Sequence, residues 1–321
     1  MLDKRVRSGQ LNDLLTAKWL WSYIGAIVLY IAISFVSSDA LGTLVASASF
    51  ASFFILVGMG QMLVITLGVG NIDLSIPYTI GLVGFVSMKV MNGTNSGILL
   101  GIVAGLLAAA AIGTLNFALI RLIRIPPLIA TLASGFIVQT VAIVEFRGLQ
   151  IKPPSDLSRV AVTRIGGVLP VLFLVVVVIA IVMHLVVTRS RYGRYIHAIG
   201  QNAKAASLAG INVNANKFLT YLLCSLFAGT TGILLSAFGG GVTLNMGHEY
   251  LLNSIAVPVI GGTSIAGGDG NIPGIIGASM LLLLILYLFN ILGIAVGLRS
   301  MFTGIVILAI ILASSARARA T

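Results

Sequence analysis

Residues 188–211 read TRSRYGRYIHAIGQNAKAASLAGI, the one charged, helix-forming interruption in a chain that is otherwise close to continuous membrane-spanning sequence. It carries Arg189, Arg191, Arg194 and Lys204, with Lys217 just beyond. On either side the chain is apolar: VLFLVVVVIAIVMHLVV (171–187) precedes it and FLTYLLCSLFAGTTGILL (218–235) follows. Small residues at Ala198, Ala205, Ala206, Ala209 and Gly210 let another protein's surface come close. A segment of this kind between two spans is where a soluble partner would bind.

Working outward, the composition excludes a soluble globular domain. Hydrophobic residues make up 58% of the 321 positions and charged residues 8%, against roughly a quarter charged in soluble domains. Apolar runs near the roughly 20 residues that cross a bilayer as a helix fill most of the chain. Alternating amphipathic strands are absent, which excludes a barrel. The expected architecture is all-α and polytopic, with about ten transmembrane helices at 19–36, 44–67, 74–91, 98–120, 127–146, 168–187, 218–238, 251–265, 274–292 and 300–313. Glycine-rich punctuation is expected to break helices at GVGNIDLSIP (68–77) and GGTSIAGGDGNIPG (261–274). The two stretches share glycines, one Asp, and an Asn-Ile near a Pro, a loose hint of duplication.

The net charge of +11 is explained by topology. With the N-terminus in the cytoplasm, 13 of the 19 Lys and Arg residues fall on that side, so both termini are expected to be cytoplasmic. No stacking motif or continuous basic face accompanies them, so nucleic acid is not an expected partner, whereas membrane lipid is. The exception is the loop 147–167, with Arg147, Lys152, Arg159 and Arg164, read as an ordered external loop or a docking surface. The first apolar run is too long for a signal-peptide core and is read as a retained helix. Cys224 has no partner for a disulfide and is read as packing.

Motifs for chemistry within the chain are lacking. No HExxH, paired-cysteine motif or Ser-His-Asp arrangement stands out, no metal set is expected, and GxxxxGK[ST] is absent. Asp73 is the conspicuous charge near the hydrocarbon. Intramembrane carboxylates are costly and face a cavity or a partner; alternatively Asp73 caps a helix beginning at Leu74, with Ser75 assisting. Asp269 in GGDGN reads as turn chemistry. Other polar groups that could meet a solute are sparse: Gln61, Thr66, Asn71, Asn116, Gln139, Thr140, Asn253 and Asn290.

Three blocks carry a family resemblance. Gly70-Asn71-Ile72-Asp73-Leu74-Ser75 resembles the GGIDLSVG of permease subunits of bacterial ABC importers for monosaccharides, the ribose, xylose and galactose group within a superfamily that includes branched-chain amino-acid permeases. Tyr192-Gly193-Arg194, Ala198-Ile199-Gly200-Gln201-Asn202, Ala205-Ala206 and Gly210-Ile211 resemble its cytoplasmic coupling block, and Ile260-Gly261-Gly262-Thr263-Ser264 with Gly267-Gly268-Asp269-Gly270 its second glycine signature. A weaker match, residues 125–132, enters the fifth span. Asn71 for a usual glycine and Pro77 for another are departures that put local geometry in question.

The resemblance implies a single permease domain over 1–321, with cytoplasmic segments at 1–18, 188–217 and 314–321. It also implies a separate ABC ATPase that uses ATP and Mg, a periplasmic sugar-binding protein, and a second permease, identical or paralogous. The ATPase-coupling residues would be Gly193, Arg194, Ala198, Gly200, Asn202, Ala205, Ala206, Gly210 and Ile211. The translocation pathway would involve Asn71, Asp73, Ser75, Gly261, Gly262, Thr263 and Ser264. Without the family, a basic helix in this place can either push on the two spans it joins or be an ordinary positive-inside loop held by anionic lipid.

Overall fold

The computed structural model describes residues 19–305 apart from 38, 147, 149, 150, 296, 299, 300 and 303. Among them the apolar runs form α1 (Leu20–Val36), α2 (Ala40–Thr66), α3 (Ile76–Met91), α4 (Ile98–Arg121), α5 (Pro127–Phe146), α7 (Val171–Arg189), α10 (Val213–Phe238), α11 (Tyr250–Ile260) and α12 (Ile272–Ile291). Between α5 and α7 lie α6 (Ser155–Val162) and a hairpin of β1 (Arg164–Ile165) and β2 (Leu169–Pro170). Between α7 and α10 lie α8 (Arg191–Gln201) and α9 (Ala203–Leu208).

The chain is thus a multi-pass helical membrane protein. Six of these helices are long and apolar enough to cross a bilayer alone, while α1, α3 and α11 are shorter apolar helices. Nine of the ten expected spans therefore correspond to apolar helices among the described residues, and the tenth, 300–313, lies almost wholly outside them. The cytoplasmic segments expected at 1–18 and 314–321 lie outside them as well.

Several boundaries differ from expectation by a few residues, three of them for reasons visible in the local structure. The third helix starts at Ile76, not Leu74, because the N–H groups of Asp73, Leu74 and Ser75 are taken by the side chains of Gln61, Thr131 and Asp73. Pro77 occupies its first turn, where a missing N–H costs nothing, so that departure is structurally neutral. The seventh span starts at Val213 rather than Phe218 because the Asn212 side chain accepts the Ala215 N–H and caps the helix there. The eighth ends at Ile260, not Ile265, with Pro258 in its last turn and Gly262 at φ 95 just beyond.

Helix α2 is the central element, buried along nearly its whole length. Helix α10 lies against α2, α3 and α4. Its approach is close because a side chain at Gly60 would press on the Cys224 backbone, and one at Gly113 on Tyr221 and Leu222. Helices α1 and α12 pair on one flank. Outward stripes such as Leu99, Val103 and Leu107 on α4 and Val175, Val178 and Val182 on α7 are exposed, as lipid-facing surfaces must be.

Candidate functional site

The first break, residues 67–75, joins α2 to α3 and is built around Asp73. That carboxylate is only 1% exposed. Its Oδ1 accepts the Ser75 N–H at 2.8 Å and the Ser75 hydroxyl at 2.6 Å, and its Oδ2 accepts from Asn116 Nδ2 on α4 at 3.4 Å. Asn116 Nδ2 also donates to Ser75 Oγ at 2.8 Å, and Asn116 Oδ1 accepts from Ser134 on α5. Gln61 on α2 takes the Asp73 N–H at 3.2 Å, and Thr131 on α5 takes the Leu74 N–H at 3.0 Å. Cys224 on α10 is a buried free thiol.

The capping expectation for Asp73 needs correction in its detail. Asp73 does satisfy a backbone N–H before a helix, but by a bond two residues on, ahead of Ile76, rather than by capping a helix from Leu74. Its other side-chain partner outside the break comes from α4, so the carboxylate ties the break to a neighbouring helix. Asn71 sits at the same break with negative φ, since the left-handed conformation falls on Gly68 and Gly70. Its side chain donates to Gly68 O at 3.1 Å and accepts from the Tyr221 hydroxyl at 3.4 Å, so this departure adds a tether to α10.

The second break, residues 261–271, is held by backbone instead. Gly261 N–H donates to Val257 O, Gly262 N–H to Val259 O, Thr263 N–H to Pro258 O and Ser264 N–H to Asp269 O. A side chain at Gly274 would run into the Gly261 carbonyl, so the start of α12 lies directly on the end of α11. Gly261 and Thr263 are buried and Gly262 and Ser264 half-buried, while Asp269 stands exposed at the turn. Asn271 caps α12 through the Gly274 N–H at 3.4 Å.

The third segment is the charged interruption. Ser190 caps α8 by accepting the Gly193 N–H at 3.2 Å. The Tyr192 hydroxyl lies 2.8 Å from Thr220 Oγ1, fixing the start of α8 to α10. Burial raises the Tyr192 phenol above its ordinary pKa, which keeps that proton in place. Gly193 backs onto the Val187 carbonyl, and Ile196 and Ile199 are buried. Asn202 then caps α9 through the Ala205 N–H at 3.0 Å.

The predicted coupling residues fall into two groups. Arg194, Asn202, Ala205 and Gly210 are exposed. Gly193 and Ala206 are buried, and Ala198, Gly200 and Ile211 half-buried, so they hold the segment against the rest of the fold. Leu208, absent from the sequence expectation, is 83% exposed beside Ala205 and Ala209. Gly210, at φ 82, makes the turn that leads to Asn212.

All three segments converge. A methyl at Gly200 would strike the Thr66 carbonyl and the Gly268 backbone, and one at Gly267 would strike Gly68. The Gly268 N–H donates to Thr66 O at 2.9 Å. The end of α8 and both glycine breaks are therefore in direct backbone contact. No group of three or more metal-ligating side chains exists among the described residues, and His197 bonds the Gly193 carbonyl at 2.7 Å.

Residues 43–311 match the family described as Branched-chain amino acid transport system / permease component. The Ribose import permease protein of Escherichia coli strain K12 is 30% identical over 307 residues, 92% of this chain and 94% of that protein. The D-allose transport system permease protein of the same strain is 31% identical over 69% of this chain and 68% of its own length. The Autoinducer 2 import system permease protein of Photorhabdus laumondii is 33% identical over 74% and 72%. No solved structure matches the chain.

Proposed function

The chain belongs to the family of permease components of branched-chain amino acid transport systems, and from that premise we propose that it is the transmembrane subunit of an ATP-driven importer of a monosaccharide or related small polyol. The observation that carries this reading is the similarity to a ribose import permease over 92% of the chain and 94% of the relative. Relatives named for the transport of D-allose and the import of autoinducer 2 also point to uptake of a small solute.

In this reading the protein sits in the bacterial inner membrane with both termini cytoplasmic, as one transmembrane domain. It receives its sugar from a periplasmic binding protein, and it pairs with a second permease, identical or paralogous. A separate ABC ATPase binds ATP and Mg, and this chain contributes no hydrolytic site. The exposed face of α8 and α9, with Arg194, Ala205, Leu208 and Gly210, seats that ATPase. Asn71, Asp73, Ser75 and residues 261–264 order the walls of the passage.

The test is uptake by proteoliposomes containing the complex purified with its ATPase. A panel of D-ribose, D-allose, D-xylose and leucine is offered with the binding protein and internal or external ATP. Saturable, ATP-dependent uptake of one sugar, unaffected by collapsing proton and sodium gradients, is expected. Uptake of leucine alone would move the cargo to an amino acid, the class in the family's description. Gradient-driven uptake without ATP would overturn the importer reading.

A further inference from the structure

We propose that Gly200 is a positioning residue for transport: the end of α8, Gly68 and Gly267–Gly268 form a three-way backbone junction that passes movement of α8 directly to both glycine-rich breaks. This rests on the reading of α8 and α9 as the ATPase seat. It differs from a push delivered only through α7 and α10, the spans to which the segment is joined.

At Gly200 and Gly267 the contacts are backbone against backbone. Gly200 faces the Thr66 carbonyl, the last residue of α2, and the Gly268 backbone. The Gly268 N–H is bonded to that same carbonyl at 2.9 Å. Gly270 lies against Met62 and Thr66, so the second break rests on the end of α2. The Gln201 side chain covers Gly268, where an added Cβ would lie 2.7 Å from its Cγ. Backbone surfaces in contact cannot relax by changing rotamer, so such packing switches between arrangements rather than deforming smoothly.

Beyond the junction the path is polar. The Gly68 carbonyl accepts both the Asn71 N–H at 3.2 Å and the Asn71 side chain at 3.1 Å. Asn71 accepts from Tyr221, and Asp73 follows two residues on. At the other end of α8 the Tyr192–Thr220 contact holds α10. Helix α8 is thus attached at its start to one span and at its end to two breaks.

Gly297 supplies the internal control. It lies outside α8 and α9, and its surroundings are open, with nothing within 4 Å of an added Cβ. Gly297→Ala presses on no neighbour, whereas Gly200→Ala presses on the junction alone.

The experiment uses the complex with its ATPase in nanodiscs and a reporter, Thr243→Cys. Thr243 is exposed beyond the end of α10 that lies farthest along the chain from α8, and the one native cysteine, Cys224, is buried. Maleimide labelling of the reporter is compared between nucleotide-free and ATP-vanadate-trapped complexes. Gly200→Ala should retain ATPase stoichiometry and hydrolysis, while the trapping-dependent change in labelling falls about tenfold. Gly297→Ala should retain the change. Gln201→Ala, which adds no bulk, should reduce it about threefold and serves if Gly200→Ala does not fold.

A wild-type-sized labelling change in Gly200→Ala, or in Gln201→Ala where Gly200→Ala does not fold, overturns the junction. So does the absence of any trapping-dependent change in the otherwise unaltered reporter protein. Leu208→Asp separates the underlying reading: retention of ATPase by that variant would remove the seat itself, whereas its loss leaves the seat standing whatever Gly200→Ala does.

Discussion

The two glycine-rich breaks look alike in sequence and are built on opposite principles. Residues 68–77 and 261–274 each offer glycines, one Asp and an Asn-Ile near a Pro. In the first, Asp73 is buried and gathers side chains from α2, α4 and α5 into one polar node. In the second, Asp269 is exposed and the segment closes on its own backbone, glycine against glycine. The same local pattern becomes a side-chain clamp where neighbouring helices supply donors, and a backbone fold where they supply only close approach.

The largest effect that could break this contrast is removal of each carboxylate. Asp73→Leu orphans the Ser75 N–H and hydroxyl and weakens the hold on Asn116. At about 1–3 kcal/mol for each buried group left unpaired, that is a large share of a membrane protein's stability. Folded yield and uptake should be lost together. Asp269→Leu should leave the melting temperature unchanged in the same detergent. Equal damage from both would mean that the exposed turn does more than its geometry implies.

Next in size is the reverse test on the backbone side. Gly274→Ala pushes a methyl into the Gly261 carbonyl, and overpacking of this kind costs about 1–3 kcal/mol. Asn71→Gly, which restores the residue usual in the resembling family, removes only the bonds to Gly68 and Tyr221. It should cost about 1 kcal/mol. Thermal melts of the two variants side by side measure the difference, and a larger loss for Asn71→Gly would put side-chain tethering ahead of glycine contact.

Much of this fold was legible in the sequence because apolar length and glycine punctuation are local signals. The helices at 98–121 and 127–146 begin and end close to where hydropathy alone places them. What was not legible is pairing. Asn116 is visible as a polar residue in an apolar run, but nothing local says that it meets Ser75 and Ser134. Thr131 and Ser134 recur one turn apart in TLASGF, a weak signal that only the neighbouring break explains. Gly200 reads as one more small residue in the charged segment, and its contact with Thr66 and Gly268 joins stretches far apart in the chain. Leu208 was hidden for the opposite reason: a leucine in a mixed segment gives no hint of whether it faces inward, and here it faces out.

A smaller stability effect, with a sharp functional readout, concerns Leu208→Asp. The side chain touches solvent, so melting should be unchanged. If α8 and α9 seat an ATPase, a charge at the centre of the small-residue face should abolish co-purification of that subunit. Unchanged co-purification would leave the exposed leucine without a role and place the contact elsewhere.

The smallest expected effect is the most discriminating for Asp73. Asp73→Asn keeps an acceptor oxygen for the Ser75 N–H and hydroxyl, and the amide it introduces must turn toward Asn116, whose bond at 3.4 Å is the longest in the node. The loss should be about 1 kcal/mol, one hydrogen bond, because the new amide nitrogen and Asn116 Nδ2 are both donors. Most ATP-driven uptake should survive, still indifferent to proton and sodium gradients. An ion-coupling carboxylate behaves differently, because its charge is the working part: Asn would then be as damaging as Leu, and transport would follow the gradient. Uptake by Asp73→Asn proteoliposomes, with ATP inside or outside and with gradients collapsed, distinguishes a clamp that needs an oxygen from a relay that needs a charge. Survival of ATP-driven uptake in Asn but not in Leu assigns Asp73 to the clamp and leaves the contrast between the two breaks intact.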